Sequence, residues 1–256
     1  EERLMTRPRL LDLFRGEGGA AEGYKRAGWD VTGVDIQPLG HRGPGEFILA
    51  DALDYVTRFG RHYDAIHASP PCQGYSIATA GNPGARAKHD RLIAATRELL
   101  VATGRPWVIE NVEQAASELS EPIMLCGRMF GLEAVDDDGQ RLVLDRHRLF
   151  ESNVPLSAPL HPVHNGEQVG GVYGGSRRAK LDKATLAGLK PAYVAVLDKY
   201  AARVERGGGY VPRSKAVKQA LLGIDWMTVN GMNESIPPVY AEWVGNQLMD
   251  SVRGSR

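Results

Sequence analysis

One segment near the N-terminus constrains the fold more than any other. Residues 10–14 form a short apolar run, residues 15–23 are rich in glycine, and a helical pattern continues through Arg26. A strand, a glycine-rich turn and a helix in this order make the nucleotide-binding unit of an open α/β sheet. The glycines alone are weak evidence, because they often mark only a tight turn. The combination predicts a doubly wound, Rossmann-like α/β sheet with a cofactor at its carboxyl edge.

Two acidic residues strengthen this prediction. The next strand-like run, residues 31–35, ends in Asp35, and the run after it, residues 47–50, is followed by Asp51. Acidic side chains at the ends of consecutive strands are placed to accept hydrogen bonds from ribose hydroxyls. The pattern therefore favours a cofactor that contains adenosine.

Cys72 stands behind two prolines, in a stretch that reads Ser-Pro-Pro-Cys-Gln over residues 69–73. Each proline ring fixes φ near about −65° and removes a backbone donor, so this turn is stiff. Residues 63–68 form an apolar strand, which holds the cysteine at a strand exit. Rigid presentation suits a nucleophile, whereas an isolated cysteine is otherwise most often a small buried hydrophobe. The flanking residues favour chemistry.

Composition is typical of an intracellular enzyme. A chain of 256 residues can bury one substantial core with a small second lobe, and its two cysteines do not form a disulfide framework. No apolar run is long enough to cross a bilayer, and no secretory signal precedes the first strand. We expect a cytoplasmic protein of a bacterium or of a phage-infected host.

The net charge of zero conceals an uneven distribution. Residues 1–150 carry 18 Lys and Arg against 22 Asp and Glu, whereas residues 151–220 carry 11 against 5. A positive lobe on an otherwise acidic protein is a plausible surface for phosphates, although an ordinary solvated helix face explains the charge about equally well.

The periodicity divides the chain into three parts. Residues 1–150 alternate strands and helices, with a clear helix over 91–100 and a strand over 106–112. Residues 151–220 are rich in Gly, Pro and His and have poor periodicity, which predicts a small inserted recognition lobe. Residues 221–256 return to a helical pattern over 239–252, which we expect to complete the first domain.

Five motifs occur in a fixed order along the chain. They are residues 12–14 with the glycine loop, Pro70 to Gln73, Glu110-Asn111-Val112, Arg146-His147-Arg148, and residues 236–238 through Gly245-Asn246. In this order they resemble the motifs of the DNA cytosine-5 methyltransferases, and they span residues 10–247. The resemblance implies a fold that uses S-adenosylmethionine as the methyl donor, with a target-recognition lobe.

The resemblance also implies a covalent mechanism. Cys72 adds to C6 of cytosine, Glu110 pairs with the N3 and amino edge of the base, and Arg148 holds O2, with Arg146 as a further catalytic residue. A helix cap for Glu110 and a plain surface pair for the two arginines are the structural alternatives. The base that removes the C5 proton is not identified by the sequence.

The remaining site residues are also carried by the resemblance. Asn246, which alternatively caps a turn after Gly245, is placed beside the methionine part of the cofactor. The residues expected to bind the cofactor are Asp12, Phe14, Arg15, Gly16, Glu17, Gly18, Gly19, Asp35, Ile36, Asp51, Ala52, Pro71 and Asn246. Those expected to bind DNA are Gln73, Ser76, Arg86, Lys88, Arg177, Arg178, Lys180 and Arg213.

Two residues in the cofactor loop depart from the family pattern. Arg15 replaces a small residue or cysteine, and Glu17 replaces a small or apolar residue between the glycines. Arg15 would bind the ordinary methionine carboxylate or pair with Glu17. A third hypothesis is that it recognises an additional carboxylate on carboxy-S-adenosylmethionine, since an arginine fork matches a carboxylate, and the product would then be 5-carboxymethylcytosine.

Other residues receive weaker interpretations. Residues 74–89 are expected to close over a base extruded from the duplex, because chemistry on a stacked base is geometrically blocked. Cys126 is expected in the core. His161 and His164 lack further ligands at zinc spacing, so we predict surface or substrate-facing positions and no metal.

The predicted partner is double-stranded DNA, bound by a monomer that does not associate with a membrane. The small lobe offers few base contacts, which predicts a short target of about two to four base pairs. Three other functions stay open: an enzyme that modifies tRNA cytosine, a non-catalytic DNA-binding module, and an enzyme acting on free dCMP.

Overall fold

The computed structural model describes residues 7–39, 42–72, 91–172 and 210–254. Within these ranges, seven strands form one sheet in the order β3-β2-β1-β4-β5-β9-β6. The strands are β1 (Arg9–Leu13), β2 (Asp30–Asp35), β3 (Glu46–Leu49), β4 (Ala65–Ala68), β5 (Trp107–Val112), β6 (Ile123–Leu125) and β9 (Arg148–Ser152). The first five run parallel, and β9 lies antiparallel between β5 and β6.

Helices cover both faces of the sheet. They are α1 (Gly19–Arg26), α2 (Ala52–Phe59), α3 (Ile93–Thr103), α4 (Lys215–Leu222), α5 (Val229–Glu234) and α6 (Pro238–Gly254). Helices α1 and α6 pack together on one face around Tyr24 and Tyr240, and α2 and α3 bury Val56 and Leu100 on the other. Most of the residues that these strands bury between the layers are apolar, as expected for a parallel sheet with two covered faces.

The predicted elements agree closely with the observed ones. The apolar run over 10–14 is β1, the runs over 31–35 and 47–50 are β2 and β3, and the run over 106–112 is β5. The predicted doubly wound α/β fold is therefore confirmed.

A third apolar cluster lies beside the main sheet. The hairpin of β7 (Glu133–Val135) and β8 (Arg141–Val143) packs with α4, and its core includes Leu142, Val172 and Leu221. This cluster combines residues from all three predicted parts of the chain, and β9 crosses the predicted boundary at residue 150. The three-part division stays a prediction.

None of the helices within the described ranges combines the length and the apolar character that a membrane span requires.

Candidate active site and cofactor edge

The chain places Cys72 at the carboxyl edge of the sheet, four residues after β4 ends. Two contacts hold this turn. The Ser69 N–H donates to the Leu13 carbonyl over 3.2 Å, and Asn111 Nδ2 donates to the Pro70 carbonyl over 2.9 Å. The turn is therefore tied to both neighbouring strands, β1 and β5. Cys72 is half-buried, so part of the residue is accessible to solvent.

Glu110 and Arg148 form an ion pair on the strands next to Cys72. Arg148 Nε lies 3.1 Å from Glu110 Oε1, and their side chains are 12% and 8% exposed. Burial raises the pKa of Glu110, and Arg148 opposes that shift. The pair forms because β5 and β9 are antiparallel neighbours, which brings the start of β9 beside the last residues of β5.

The charges of Glu110 and Arg148 also act on the Cys72 thiol. Burial raises the pKa of the Cys72 thiol, the Glu110 charge raises it further, and the Arg148 charge lowers it. The thiol is therefore mostly protonated at neutral pH, and Arg148 is the strongest of the cations that favour the thiolate.

A chain of hydrogen bonds runs from the α1 face of the sheet to Glu110. The Tyr24 hydroxyl lies 2.8 Å from His67 Nδ1, and His67 Nε2 lies 2.8 Å from Ser69 Oγ. Ser69 in turn hydrogen-bonds the Glu110 carboxylate. Burial lowers the pKa of His67 to about 3, so its ring is neutral and accepts at one nitrogen while donating at the other. This chain orients Glu110 from behind.

Arg146 has a different position from the one expected. Its side chain is buried, and its guanidinium donates to the backbone carbonyls of Ser235, Val172 and Asn233, with 2.6 Å to Val172 and 2.8 Å to Asn233. The Tyr240 hydroxyl donates to the Arg146 carbonyl over 2.9 Å. Arg146 therefore joins three segments of the chain, and the structure supports a positioning role for it rather than contact with the base.

Asp12 and Asp35 occupy the predicted cofactor edge, at or near the carboxyl ends of β1 and β2. Both oxygens of Asp35 accept backbone N–H groups, Oδ2 from Gly16 over 2.8 Å and Oδ1 from Gln37 over 2.9 Å. Asp12 is buried beside the start of α1, and burial raises its pKa to about 7. Asp12 Oδ2 is buried and has no hydrogen-bond partner among the described residues. Because buried polar atoms are usually hydrogen-bonded, this oxygen is a candidate to bind a ligand.

The other residues predicted at this edge have distinct surroundings. Ile36 is 70% exposed directly after Asp35, which leaves an apolar surface at the end of β2. Phe14 has a φ of 58° and packs against the apolar cluster that contains Val56 and Leu100. Asp51 Oδ1 accepts the N–H groups of Leu53 and Asp54, so this residue caps α2.

Three predicted residues serve the local packing at this edge. Ala52 is buried as the first residue of α2, and Pro71 is half-buried beside Cys72. At Gly19, a Cβ atom would lie 2.0 Å from Ser235 Oγ, so only glycine permits this approach.

Arg15 is buried at 5% exposure, and its side chain extends across β2 to β3. Its Nη2 donates to the Pro44 carbonyl, and its guanidinium carbon lies 5.7 Å from the centre of the Phe47 ring. The stem fills the space above Gly33, where a Cβ atom would lie 1.7 Å from Arg15 Cδ. Asp12 and Asp35 act electrostatically on the guanidinium, although burial has the largest effect and lowers its pKa. Arg15 is thus built into the wall of the site.

Glu17 is directed away from the cofactor edge. Its Oε1 accepts the Thr228 hydroxyl over 2.6 Å, and its Oε2 accepts the Thr228 N–H over 2.7 Å. Its carbonyl accepts Trp226 Nε1 over 2.9 Å. Both carboxylate oxygens therefore hold the start of α5, and the structure gives Glu17 a packing role in place of the expected cofactor contact or pairing with Arg15.

Asn246 also lies elsewhere than expected. It is exposed within α6, one residue after Gly245, which packs against Tyr24. The segment that meets the glycine turn is instead the one before α6, where Ser235 and Ile236 contact Gly19. The sequence signal was present, because residues 236–238 belong to the same predicted motif.

Most of the predicted DNA-binding residues lie outside the described ranges. They are Gln73, Ser76, Arg86, Lys88, Arg177, Arg178 and Lys180, and the expected closing loop over 74–89 lies outside as well. Arg213 is described, and it is exposed just before α4.

The sequence spacing around His161 and His164 did not reveal two further residues that could bind a metal with them. His161 and His164 do have further possible ligands, because the fold brings Cys126 and His147 to them. Cys126 is buried, as predicted, but it lies against His164. Sequence spacing missed the group because its four members come from three separate segments.

Sequence reasoning missed other residues of the active site. Tyr24, His67 and Ser69 form the hydrogen-bonded chain to Glu110, and Asn111 holds the turn before Cys72. Glu234, on α5, carries a pKa raised by partial burial and by the charges of Asp35 and Glu17. A polar histidine in the apolar β4 run was the available signal for the chain.

The fold is an open α/β sheet, and the candidate site places a cysteine at its carboxyl edge. No protein-family model matches the chain. The type II methyltransferase M.XorII of Xanthomonas oryzae pv. oryzae is 35% identical over 89 residues, an alignment that covers 28% of this chain and 21% of that protein.

Two solved structures share the fold over nearly their whole length. One is described as a DNA modification methyltransferase encoded within an E. coli prophage, with a TM-score of 0.54, 18% identity and coverage of 96% of this chain and 99% of that one. The other is the S. pombe Dnmt2 methyltransferase, with a TM-score of 0.55, 14% identity and coverage of 96% and 99%. These comparisons confirm the resemblance inferred from the ordered motifs.

Proposed function

We propose that this protein methylates C5 of a cytosine in DNA through a transient covalent bond to Cys72. The observation that carries the proposal is that Cys72 follows β4 while Glu110 and Arg148 lie on β5 and β9, the next two strands of the sheet, at its carboxyl edge. Asp12 and Asp35 lie on the same edge two and three strands from β5, where a donor would reach the same space. The edge of an open α/β sheet is where ligands of this fold class bind.

Cys72 supplies the nucleophile. Its thiolate adds to C6 of the pyrimidine, an S–C6 bond forms, and the electrons of the C5–C6 double bond make C5 nucleophilic. After C5 has accepted the methyl group, loss of its proton restores the double bond and expels Cys72. The stiff turn that Asn111 holds fixes the sulfur for this attack.

Glu110 and Arg148 bind the base and stabilise the charge that addition creates. Burial raises the pKa of Glu110, which helps its carboxyl group to share a proton with N3 of the ring as the thiolate adds. Arg148 binds O2 and adds positive potential at the thiol. The chain from Tyr24 through His67 and Ser69 holds Glu110 in position.

The residues at the cofactor edge fit S-adenosylmethionine. Asp35 follows the pattern of a ribose-binding acid, Ile36 offers an apolar surface for adenine, and Asp12 carries a buried oxygen without a partner among the described residues. When bound, S-adenosylmethionine supplies an electrophilic methyl group. The glycine turn and the start of α1 would hold its methionine portion, since a helix N-terminus attracts a carboxylate.

The methyl group is favoured over carboxymethyl by the position of Arg15. Its guanidinium is buried and donates to the Pro44 carbonyl, so it is already engaged within the protein. An additional donor carboxylate would have to reach a guanidinium that is buried and already hydrogen-bonded within the protein.

The deciding experiment measures the mass of the modified nucleoside. The purified protein is incubated with duplex DNA or with tRNA, and with S-adenosylmethionine or its carboxy analogue, and the nucleosides are separated and weighed. We expect 5-methylcytosine from DNA with S-adenosylmethionine. A product only in tRNA would move the substrate to RNA, and a carboxymethyl product would overturn the assignment of the transferred group.

Covalent trapping tests the role of the sulfur. DNA that contains 5-fluorocytosine retains the enzyme because fluorine cannot leave as a proton does. We expect a protein–DNA adduct that maps to Cys72. Modified DNA without any adduct would overturn the covalent route.

A further inference from the structure

Four side chains of types that bind metals lie together and include His147, the residue before Arg148. The group consists of Cys126, which follows β6, His147, which precedes β9, and His161 and His164 from the segment after β9. One ligand atom from each lies within 4.8 Å of every other. None of these residues has a part in the proposed methyl transfer.

The spacing of the ligand atoms fits a tetrahedral ion. Cys126 Sγ lies 3.6 Å from His164 Nε2, and His147 Nε2 lies 3.2 Å from His161 Nε2. Bond lengths of about 2.3 Å to sulfur and about 2.0 Å to nitrogen place neighbouring tetrahedral ligands roughly 3.3–3.6 Å apart. Both observed pairs are close to that range.

The Nδ1 atoms of two of the histidine rings give independent support for a metal site. His164 Nδ1 lies 3.4 Å from Asp145 Oδ2, and His147 Nδ1 lies 3.4 Å from Glu113 Oε1. In each ring the Nε2 atom therefore faces the group while Nδ1 faces a carboxylate. A histidine that binds zinc characteristically donates its other N–H to a carboxylate, which fixes the tautomer and the ring orientation.

We propose that Cys126, His147, His161 and His164 bind one structural zinc ion. A thiolate with three imidazoles is a donor set that zinc prefers. Four protein ligands leave no open position, so the ion would be structural and would not activate water.

The ion would anchor the segment after β9 and steady the active site. Arg148 Nη1 donates to the His147 carbonyl over 2.8 Å, so a fixed His147 backbone also fixes the guanidinium that pairs with Glu110. Zinc would thereby connect residues 161–164 to β6 and to the residue next to a catalytic arginine.

A direct test measures metal in the full chain after any affinity tag has been removed. We expect about one zinc per chain by inductively coupled plasma mass spectrometry. The variants Cys126→Ser and His164→Gln should each lose most of it. His62→Gln, which changes an exposed histidine outside the group, should retain the wild-type content. Wild-type metal content in both ligand variants would overturn the proposal.

Two measurements on the wild-type protein test the proposal even if a variant fails to fold. Replacement of zinc by cobalt should produce a thiolate-to-cobalt charge-transfer absorption. Removal of metal by a chelator should lower the midpoint of thermal unfolding, and zinc but not magnesium should restore it. A chain that takes up neither zinc nor cobalt, and that a chelator leaves unchanged, would show that the four side chains are only hydrogen-bonded. These readouts do not depend on methyl transfer.

Discussion

The nucleophile corner around Cys72 and the donor corner around Asp12 lie on one edge of the sheet, but their charges are used differently. In the nucleophile corner, Glu110 and Arg148 form an ion pair with each other, and in the proposed function a base joins that pair. In the donor corner, Arg15 and Glu17 are buried and bonded to backbone and side-chain groups of the protein itself. A charged side chain in a motif therefore indicates function only where some of its hydrogen-bonding groups are left for a ligand.

The largest effect should come from the nucleophile corner. Cys72→Ser replaces the sulfur with a poorer nucleophile of similar size, so turnover should fall at least about a thousandfold while the protein stays folded. Methyl incorporation into DNA measures the loss, and His62→Gln serves as the control. Turnover within tenfold of wild type would show that Cys72 is not the nucleophile, and the nucleophile corner would then lose its proposed role.

Glu17 should affect stability more than catalysis. Glu17→Ala removes two hydrogen bonds between a buried carboxylate and Thr228, and we expect a loss of about 2–3 kcal/mol in the free energy of unfolding. Glu22→Ala is the matched control, because Glu22 pairs with Arg26 on the surface of α1 and should contribute less than about 0.5 kcal/mol. Denaturant unfolding compares them. Equal effects would contradict the packing role.

His67 should make the protein sensitive to acid. Its pKa is about 3 in the folded chain, below the ordinary value of about 6.5 that the unfolded chain retains. The unfolded state therefore binds a proton first, and stability falls as pH decreases below about 6.5, by about 2 kcal/mol at pH 5. His67→Gln should lose this part of the pH dependence. Parallel curves of unfolding free energy for the two proteins would exclude it.

A substitution at Ile36 tests the solvent-exposed part of the donor corner. Ile36→Ala removes exposed apolar surface, so it should raise the KM for S-adenosylmethionine about tenfold with little change in kcat or stability. Val135→Ala, which changes a similarly exposed apolar residue on β7, is the control. An unchanged KM would place the adenine elsewhere.

The smallest effect concerns the thiol. Alkylation of Cys72 should accelerate as pH rises, because burial raises its pKa and only the thiolate reacts. Arg148→Gln removes the main cation that lowers this pKa, so alkylation at pH 8 should slow a few-fold. Mass spectrometry of the peptide containing Cys72 follows the rate. Faster alkylation in the variant would contradict the assigned sign.

The sequence determined the strand–glycine–helix unit, the order of the elements and the placement of Cys72 and Glu110, because apolar periodicity and proline or glycine act locally. It did not determine which charged side chains form their hydrogen bonds within the protein and so are not free to bind a ligand. Arg146 and Glu17 were assigned to ligands, yet they bond to Val172 and Thr228, which are far away in sequence.

Only the tertiary structure decided those partners, and it alone gathered Cys126, His147, His161 and His164 into one group. A strand or a turn is fixed by neighbours within a few residues, so its signal is written locally. A buried ion pair or a metal site depends on which distant segments the sheet order places side by side, and no spacing along the chain records that distance.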